Sequence, residues 1–386
     1  MTAGKGQSQS KDIESSPTDF EQLMHFCEQG MLYEAEAWLE AGRVATQPED
    51  SKHCPLTLAT EMGFHSLVKL LLGHACTDEQ KLNALEQAAE AGNLEICKLL
   101  VEAGTTATHL RFWHLDHIIN RPLIEYLLDH GLDLARDNDL AHLLVNRRVK
   151  PLLGIYLQHI ERFPEWKKQA AIALCEFVRS RDKKWTSLMI WAGADPLLPV
   201  HELTEDLFEP EDDDWKETAL ELAARTDDPS LFKMLKITPS TEQATDLLFK
   251  VWYRPDRAMV RVLLDAGANV NSYLPDEGSL LHLALHTFAR GPTWSRQPHP
   301  PEQDVELISW LIRKGAKWRL PESAGELNSL RRQLYDQSGE HVVEAIRLLH
   351  AGNTCNLKQL VELVDKPKMR GWVKEYDPKL FRDLGF

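Results

Sequence analysis

No apolar run in the 386 residues approaches the ~20 that a bilayer-spanning helix requires. The amino-terminal stretch MTAGKGQSQSKDIESSPTD is polar and has no apolar core of the kind a signal peptide carries, so a cytoplasmic protein with no membrane partner is expected. Cysteine is scarce. The six present are Cys27, Cys54, Cys76, Cys97, Cys175 and Cys355, with no CxxC pair among them. Cys97, in LEICKLL, falls on an apolar helical stripe, which suits a reduced core thiol and neither a disulfide frame nor a zinc site. Positive charge is also in short supply: 44 Lys and Arg face 59 Asp and Glu, a net charge of −15. Such a chain repels phosphate backbones, so nucleic acid is disfavoured as a partner and a basic protein is favoured. There is no GxxxxGK[ST], GxSxG, HExxH or kinase-type set. No cofactor and no catalytic residue are therefore assigned, and the chain is not expected to be an enzyme.

What is present is a recurring apolar phrase closed by glycine. In Arg261–Ala284, RVLLDAGANVNSYLPDEGSLLHLA, one apolar helix ends at Gly267, a residue free to adopt the left-handed conformation of a helix terminus. Asn269, Asn271, Pro275, Asp276 and Gly278 supply turn chemistry, and Ser279 can cap a second helix with Leu280, Leu281, Leu283 and Ala284 on its apolar face. The same ending recurs at Gly42, Gly104, Gly131, Gly193 and Gly315. The helix start recurs as Pro55-Leu56-x-Leu58-Ala59 and Ala219-Leu220-x-Leu222-Ala223. From Gly42 to Cys54 and from Gly267 to Ser279 the connector is 12 residues, and 29 residues separate Gly63 from Gly92.

These phrases resemble the ankyrin repeat, whose pattern runs LLxxGAxxN…DGxTPLHxA. The wording is most specific in residues 54–75, 83–104 and 261–285. The resemblance implies an all-α, ankyrin-like helical-repeat solenoid of about nine or ten helix pairs, with degenerate connectors and two loop insertions. Residues 1–17 read as a flexible tail, 18–320 as the repeat array and 321–386 as a C-terminal helical cap and tail. One insertion, 195–216, is acidic and the other, 290–304, is rich in proline. Both are either tolerated surface loops or part of a binding face. Between 105 and 195 the paired helices could belong to another helical repeat.

The resemblance also implies where a partner would touch. The position two residues after the motif alanine, which faces the groove in the family, is Glu61, Glu90, Arg225 and His286. Trp191 stands two residues before its helix-ending glycine, where other units carry Glu40, Glu102, Asp129, Asp265 or Arg313. It either anchors an interface or packs under the 195–216 insertion. Trp38 and Trp310, on the apolar faces, read as core. The run holding Glu211, Asp212, Asp213 and Asp214 lacks the spacing of a calcium loop, and reads as a solvated loop or as an acidic contact for a basic partner.

Three further features bear on chemistry. His282, at the motif histidine, has a structural role by resemblance, with Thr57, Glu86 and Glu221 at the matching positions. In HLDH only His114 and His117 are spaced to share a helix face, with no second pair to complete a metal site. Lys and Arg between 147 and 184, with Trp166 and Trp185 among them, form a basic middle that could contact an anionic strand or be plain helix surface.

The reading is a protein–protein interaction module, monomeric on its own, that resembles bacterial interaction proteins and acts as an immunity- or antitoxin-like inhibitor or as a scaffold. The alternatives are an enzyme or effector active through 290–304 or 339–386, or a nucleic-acid binder using the basic middle.

Overall fold

The computed structural model describes residues 18–43, 53–74, 76–147, 150–203, 216–226, 228–252, 257–274, 278–290, 301–318 and 324–386. They form an all-α helical repeat, a solenoid of consecutive helix pairs, and they group into two compact units. Unit 1 takes in 1–177 and 188–216, and unit 2 takes in 178–187 and 217–386.

In unit 1 the pairs are α1 (Asp19–Gln29) with α2 (Leu32–Glu40), α3 (Pro55–Glu61) with α4 (His65–Leu72), and α5 (Asp78–Glu90) with α6 (Leu94–Glu102). They continue as α7 (Phe112–Leu115) with α8 (Arg121–Asp129) and α9 (Asp139–Arg147) with α10 (Lys150–His159). The division between units runs through the next pair, α11 (Trp166–Arg179) and α12 (Lys183–Trp191). First helices α1, α3, α5, α7 and α9 pack each on the next, and second helices α2, α4, α6, α8 and α10 do the same. Leu56 and Ala59 of α3, Ala84, Leu85 and Ala88 of α5, and Leu67, Val68, Ile96 and Leu100 of the second helices are buried between them. No single pair could hide those side chains alone, so each repeat depends on its neighbours.

Hydrogen bonds between neighbouring pairs fix the period. Asn120 Nδ2 donates to the Gly92 carbonyl at 2.9 Å and the Ala141 N–H donates to Gln169 Oε1 at 3.2 Å, each across 28 residues. The repeat there is shorter than the family's ~33. The connectors explain it: only 7 residues separate Gly104 from Arg111, and the 3₁₀ turns Ala107–His109 and Arg136–Asn138 stand where a longer connector would be. Residues 105–195 therefore keep the pair architecture and its stacking.

Unit 2 contains α13 (Ala219–Arg225) with α14 (Pro229–Met234), α15 (Thr241–Trp252) with α16 (Arg257–Asp265), and α17 (Leu280–Arg290) with α18 (Pro301–Arg313). Then come α19 (Ala324–Leu334), α20 (Gly339–Ala351), α21 (Leu357–Val364), α22 (Pro367–Tyr376) and α23 (Pro378–Asp383). The full-length connector before α17 keeps a short antiparallel ribbon, β1 (Tyr273–Leu274) against β2 (Gly278–Ser279), the one sheet among the described residues. Nine pairs precede residue 320, and the stacking carries straight past it: α19 packs on α17, α20 on α18 and α22 on α20.

Parts of both expected insertions are described. Residues 301–304 open α18, and the Asp304 side chain is buried. At the other, Ala194 and Val200 are buried and the Leu203 N–H reaches Glu176 Oε1 at 3.4 Å, so 195–203 is packed chain. The middle of each, 204–215 and 291–300, lies outside the described residues. All six cysteines are free thiols, and burial pushes Cys27 and Cys97 up to about 12, which makes them inert core groups.

Candidate functional site

The first helices share one way of starting. Thr77, Thr218 and Ser240 each accept from the N–H three residues on, and Gln80, Glu221 and Gln243 reach back to the cap N–H, at 2.9–3.2 Å. Two otherwise orphaned backbone donors are satisfied reciprocally. In α3 the same box is built from Cys54 and Thr57, while α7 keeps only its second half: His114 Nδ1 accepts from the Arg111 N–H at 3.0 Å, and the Arg111 side chain has no acceptor to complete the box. Thr57 and Glu221 thus have the structural role their register implies. Glu86 does not, because α5 begins two turns earlier, at Thr77, and Glu86 lies mid-helix.

His114 is a buried cap residue, also approached by Trp113 Nε1 at 3.0 Å, and burial together with Arg111 pushes its pKa down. His117 points to solvent beside Asp116, at 3.5 Å. No group of three or more His, Cys, Asp or Glu among the described residues is arranged to hold a metal. Beneath α7, Arg111 pairs with the fully buried Asp139 through two bonds of 3.0 and 3.2 Å, and with Asp137 at 2.9 Å. Burial pushes the Asp139 carboxyl up and the guanidinium opposes the shift. Sequence reasoning passed over this bracket because Arg111 and Asp139 are 28 residues apart, and only the repeat period brings them together.

His282 occupies the same register in α17. It is buried, its backbone N–H donates to Ser279 Oγ at 3.3 Å, and its Nδ1 has no partner among the described residues. Burial, then the neighbouring His286 ring 6.2 Å away, lower its pKa from 6.5 to about 4. It is a neutral structural imidazole at pH 7.

The four positions that the resemblance places toward a partner differ in availability. Glu61 is exposed and Glu90 half-buried, both on the packed pair α3 and α5, and neither has a cation partner among the described residues. Arg225 is half-buried and ion-paired with Glu217, so its charge is already matched. His286 is half-buried beside His282. The 28-residue period identifies a further member of the row that the sequence reading missed: Ile118, one repeat after Glu90, is 52% exposed.

Trp191, the last residue of α12, is 70% exposed, and the described residues 195–203 do not cover it. Trp38 is core, with Nε1 donating to Gln22 at 3.3 Å. Trp310, expected in the core, is only half-buried, and the cations of Arg261 and Lys314 lie over its ring at 5.8 and 5.5 Å. In the basic middle Trp166 and Trp185 are both buried, which removes the aromatic platforms a nucleic-acid strand would stack on. Glu211, Asp212, Asp213 and Asp214 lie outside the described residues.

Against known proteins, residues 23–110 match the family model for ankyrin repeats (3 copies). No curated protein matches the sequence. Among solved structures the human ASB11 ankyrin repeat domain matches at 16% identity, covering 74% of this chain and 96% of that one, with a TM-score of 0.24. Neither match supports a bacterial source. No helix among the described residues is long and apolar enough to cross a membrane.

Proposed function

Starting from an ankyrin-repeat protein, we propose that this chain is a non-catalytic interaction module that binds a partner protein, acting as a scaffold or as an inhibitor of the immunity or antitoxin kind. Ankyrin repeats generally mediate protein–protein interactions, and the fold is typically non-catalytic. The observation that carries the reading is Trp191. A tryptophan 70% exposed at a helix end, in a register where other repeats carry charged side chains, leaves in solvent most of the apolar area that makes such a residue stabilising in a core. Exposed tryptophans of this kind anchor interfaces.

The experiment is capture of partners from the native cell on immobilised protein, with Trp191→Ala beside the parent chain. The variant is expected to weaken capture of at least one partner about tenfold or more, the scale of an anchor residue, while its unfolding midpoint stays put. Unchanged capture would remove Trp191 from the interface.

A further inference from the structure

Along the first-helix face of unit 1 the chemistry is uneven. Between residues 19 and 104 the described chain carries thirteen Asp and Glu against four Lys and Arg, so this stretch is more acidic for its length than the whole. Three of the thirteen are matched: Asp19 by Arg43, Asp78 by Lys81, Glu95 by Lys98. Three neighbouring carboxylates on the packed pair α3 and α5 are not. Glu61 on α3, and Glu86 and Glu90 one turn apart on α5, have no Lys or Arg partner among the described residues. Glu86 is half-buried, and burial followed by Glu90 pushes its pKa up, with only His109 pulling the other way. Two like charges are held an i,i+4 step apart without a counterion, an arrangement that a cation from outside would relieve.

Large apolar side chains sit beside these carboxylates instead of in the core. Met62, next to Glu61, is 46% exposed, and Ile118 is 52% exposed. They belong to one edge. The Asn93 amide lies 4.0 Å from where a Cβ on Gly63 would stand, joining the α3–α4 turn to the α5–α6 turn, and the Ile118 Cγ2 lies 3.0 Å from the corresponding point on Gly92. Ile118 therefore covers the turn that begins just after Glu90.

We propose that this edge of unit 1 docks an extended protein segment carrying Lys or Arg within a few residues of a large aliphatic or aromatic side chain, with its cations against Glu61, Glu86 and Glu90 and its apolar group on Ile118 and Met62. The proposal rests on the reading of the chain as a protein-binding module and adds the chemistry of the partner. Charge complementarity selects the occupant: a nucleic acid or a second copy of this edge would bring like charge to the three carboxylates.

The test uses the full chain and three fluorescein-labelled twelve-residue peptides, lysine–leucine, lysine–serine and glutamate–leucine, read by fluorescence anisotropy. The lysine–leucine peptide is expected to bind at least about tenfold more tightly than either of the others, since only it satisfies both halves of the edge. Glu86→Gln with Glu90→Gln, and separately Ile118→Ser, are each expected to weaken it about tenfold with the unfolding midpoint held. Glu61→Gln, at an exposed position, serves if the double variant does not fold. Equal binding of all three peptides, or a lysine–leucine affinity that none of the variants moves, would overturn the proposal. Trp191-dependent capture of a cellular protein persisting alongside that result would leave the interaction-module reading intact, so the two failures are distinguishable.

Discussion

At the scale of single residues, the register of the motif histidine separates structural from titrating roles. In His114 the ring nitrogen Nδ1 receives the Arg111 N–H, whereas in His282 the same atom is buried with no partner among the described residues. A charged imidazole would be costly at His282, and its pKa falls from 6.5 to about 4. The sign follows from proton counts. Below pH 6.5 the unfolded chain binds a proton there that the folded chain refuses, so stability is lost as pH falls from 6.5 towards 4 and no further below that. A gap of that size amounts to about 3 kcal/mol over the window. Urea unfolding of the parent and of His282→Gln between pH 7 and pH 4 checks it: the parent is expected to lose about 3 kcal/mol more than the variant. Parallel curves would mean that the imidazole is solvated or hydrogen-bonded when charged.

At the scale of the element, the turns inside each helix pair carry the stacking. Gly92 holds φ +67°, and a Cβ there would meet Ile118 at 3.0 Å, whereas Gly104, at φ +93°, has open space around it. Gly104→Ala is expected to cost about 1 kcal/mol, the left-handed penalty alone. Gly92→Ala should cost measurably more, because it also displaces the α7–α8 turn from the α5–α6 turn. Urea midpoints of the two variants decide this, and equal losses would show that Ile118 yields freely. The same elements show what the sequence made legible. Glycine-closed apolar helices and the start phrases at Pro55, Ala219 and Leu280 were readable because helix termini depend on local backbone chemistry. The Thr18–Glu21 and Thr77–Gln80 caps, by contrast, are plain in the sequence once the helix start is known. The bracket of Arg111 with Asp139 and the place of Ile118 beside Gly92 were not readable, since each depends on a 28-residue period that only the shortened connectors define. The packing of Val200 and the early start of α18 at Pro301 escaped for a related reason: proline and acidic residues suggest loops until a buried neighbour is seen.

At the scale of the whole molecule, charge is the property that acts over distance. A net charge of −15 surrounds every local feature with a field that slows approach of anions and speeds approach of cations. Exposed carboxylates such as Glu61 contribute to that field without being paired, while the carboxylates of Asp129 and Asp265 are answered by Arg162 and Lys314 and contribute less. Steering of this kind is screened within about 10 Å at 0.1 M salt, and it changes association far more than dissociation. Stopped-flow measurement of lysine–leucine peptide binding from 20 to 300 mM NaCl is therefore expected to show an association rate that falls about tenfold, with a dissociation rate changed by less than about a factor of three. Duplex DNA added at the low-salt end should not compete, because its phosphates meet the same field with the opposite consequence. An association rate that is flat or rises with salt would place the contact on an apolar surface that the field does not reach, with Trp191 at its centre in place of the Glu61–Ile118 edge.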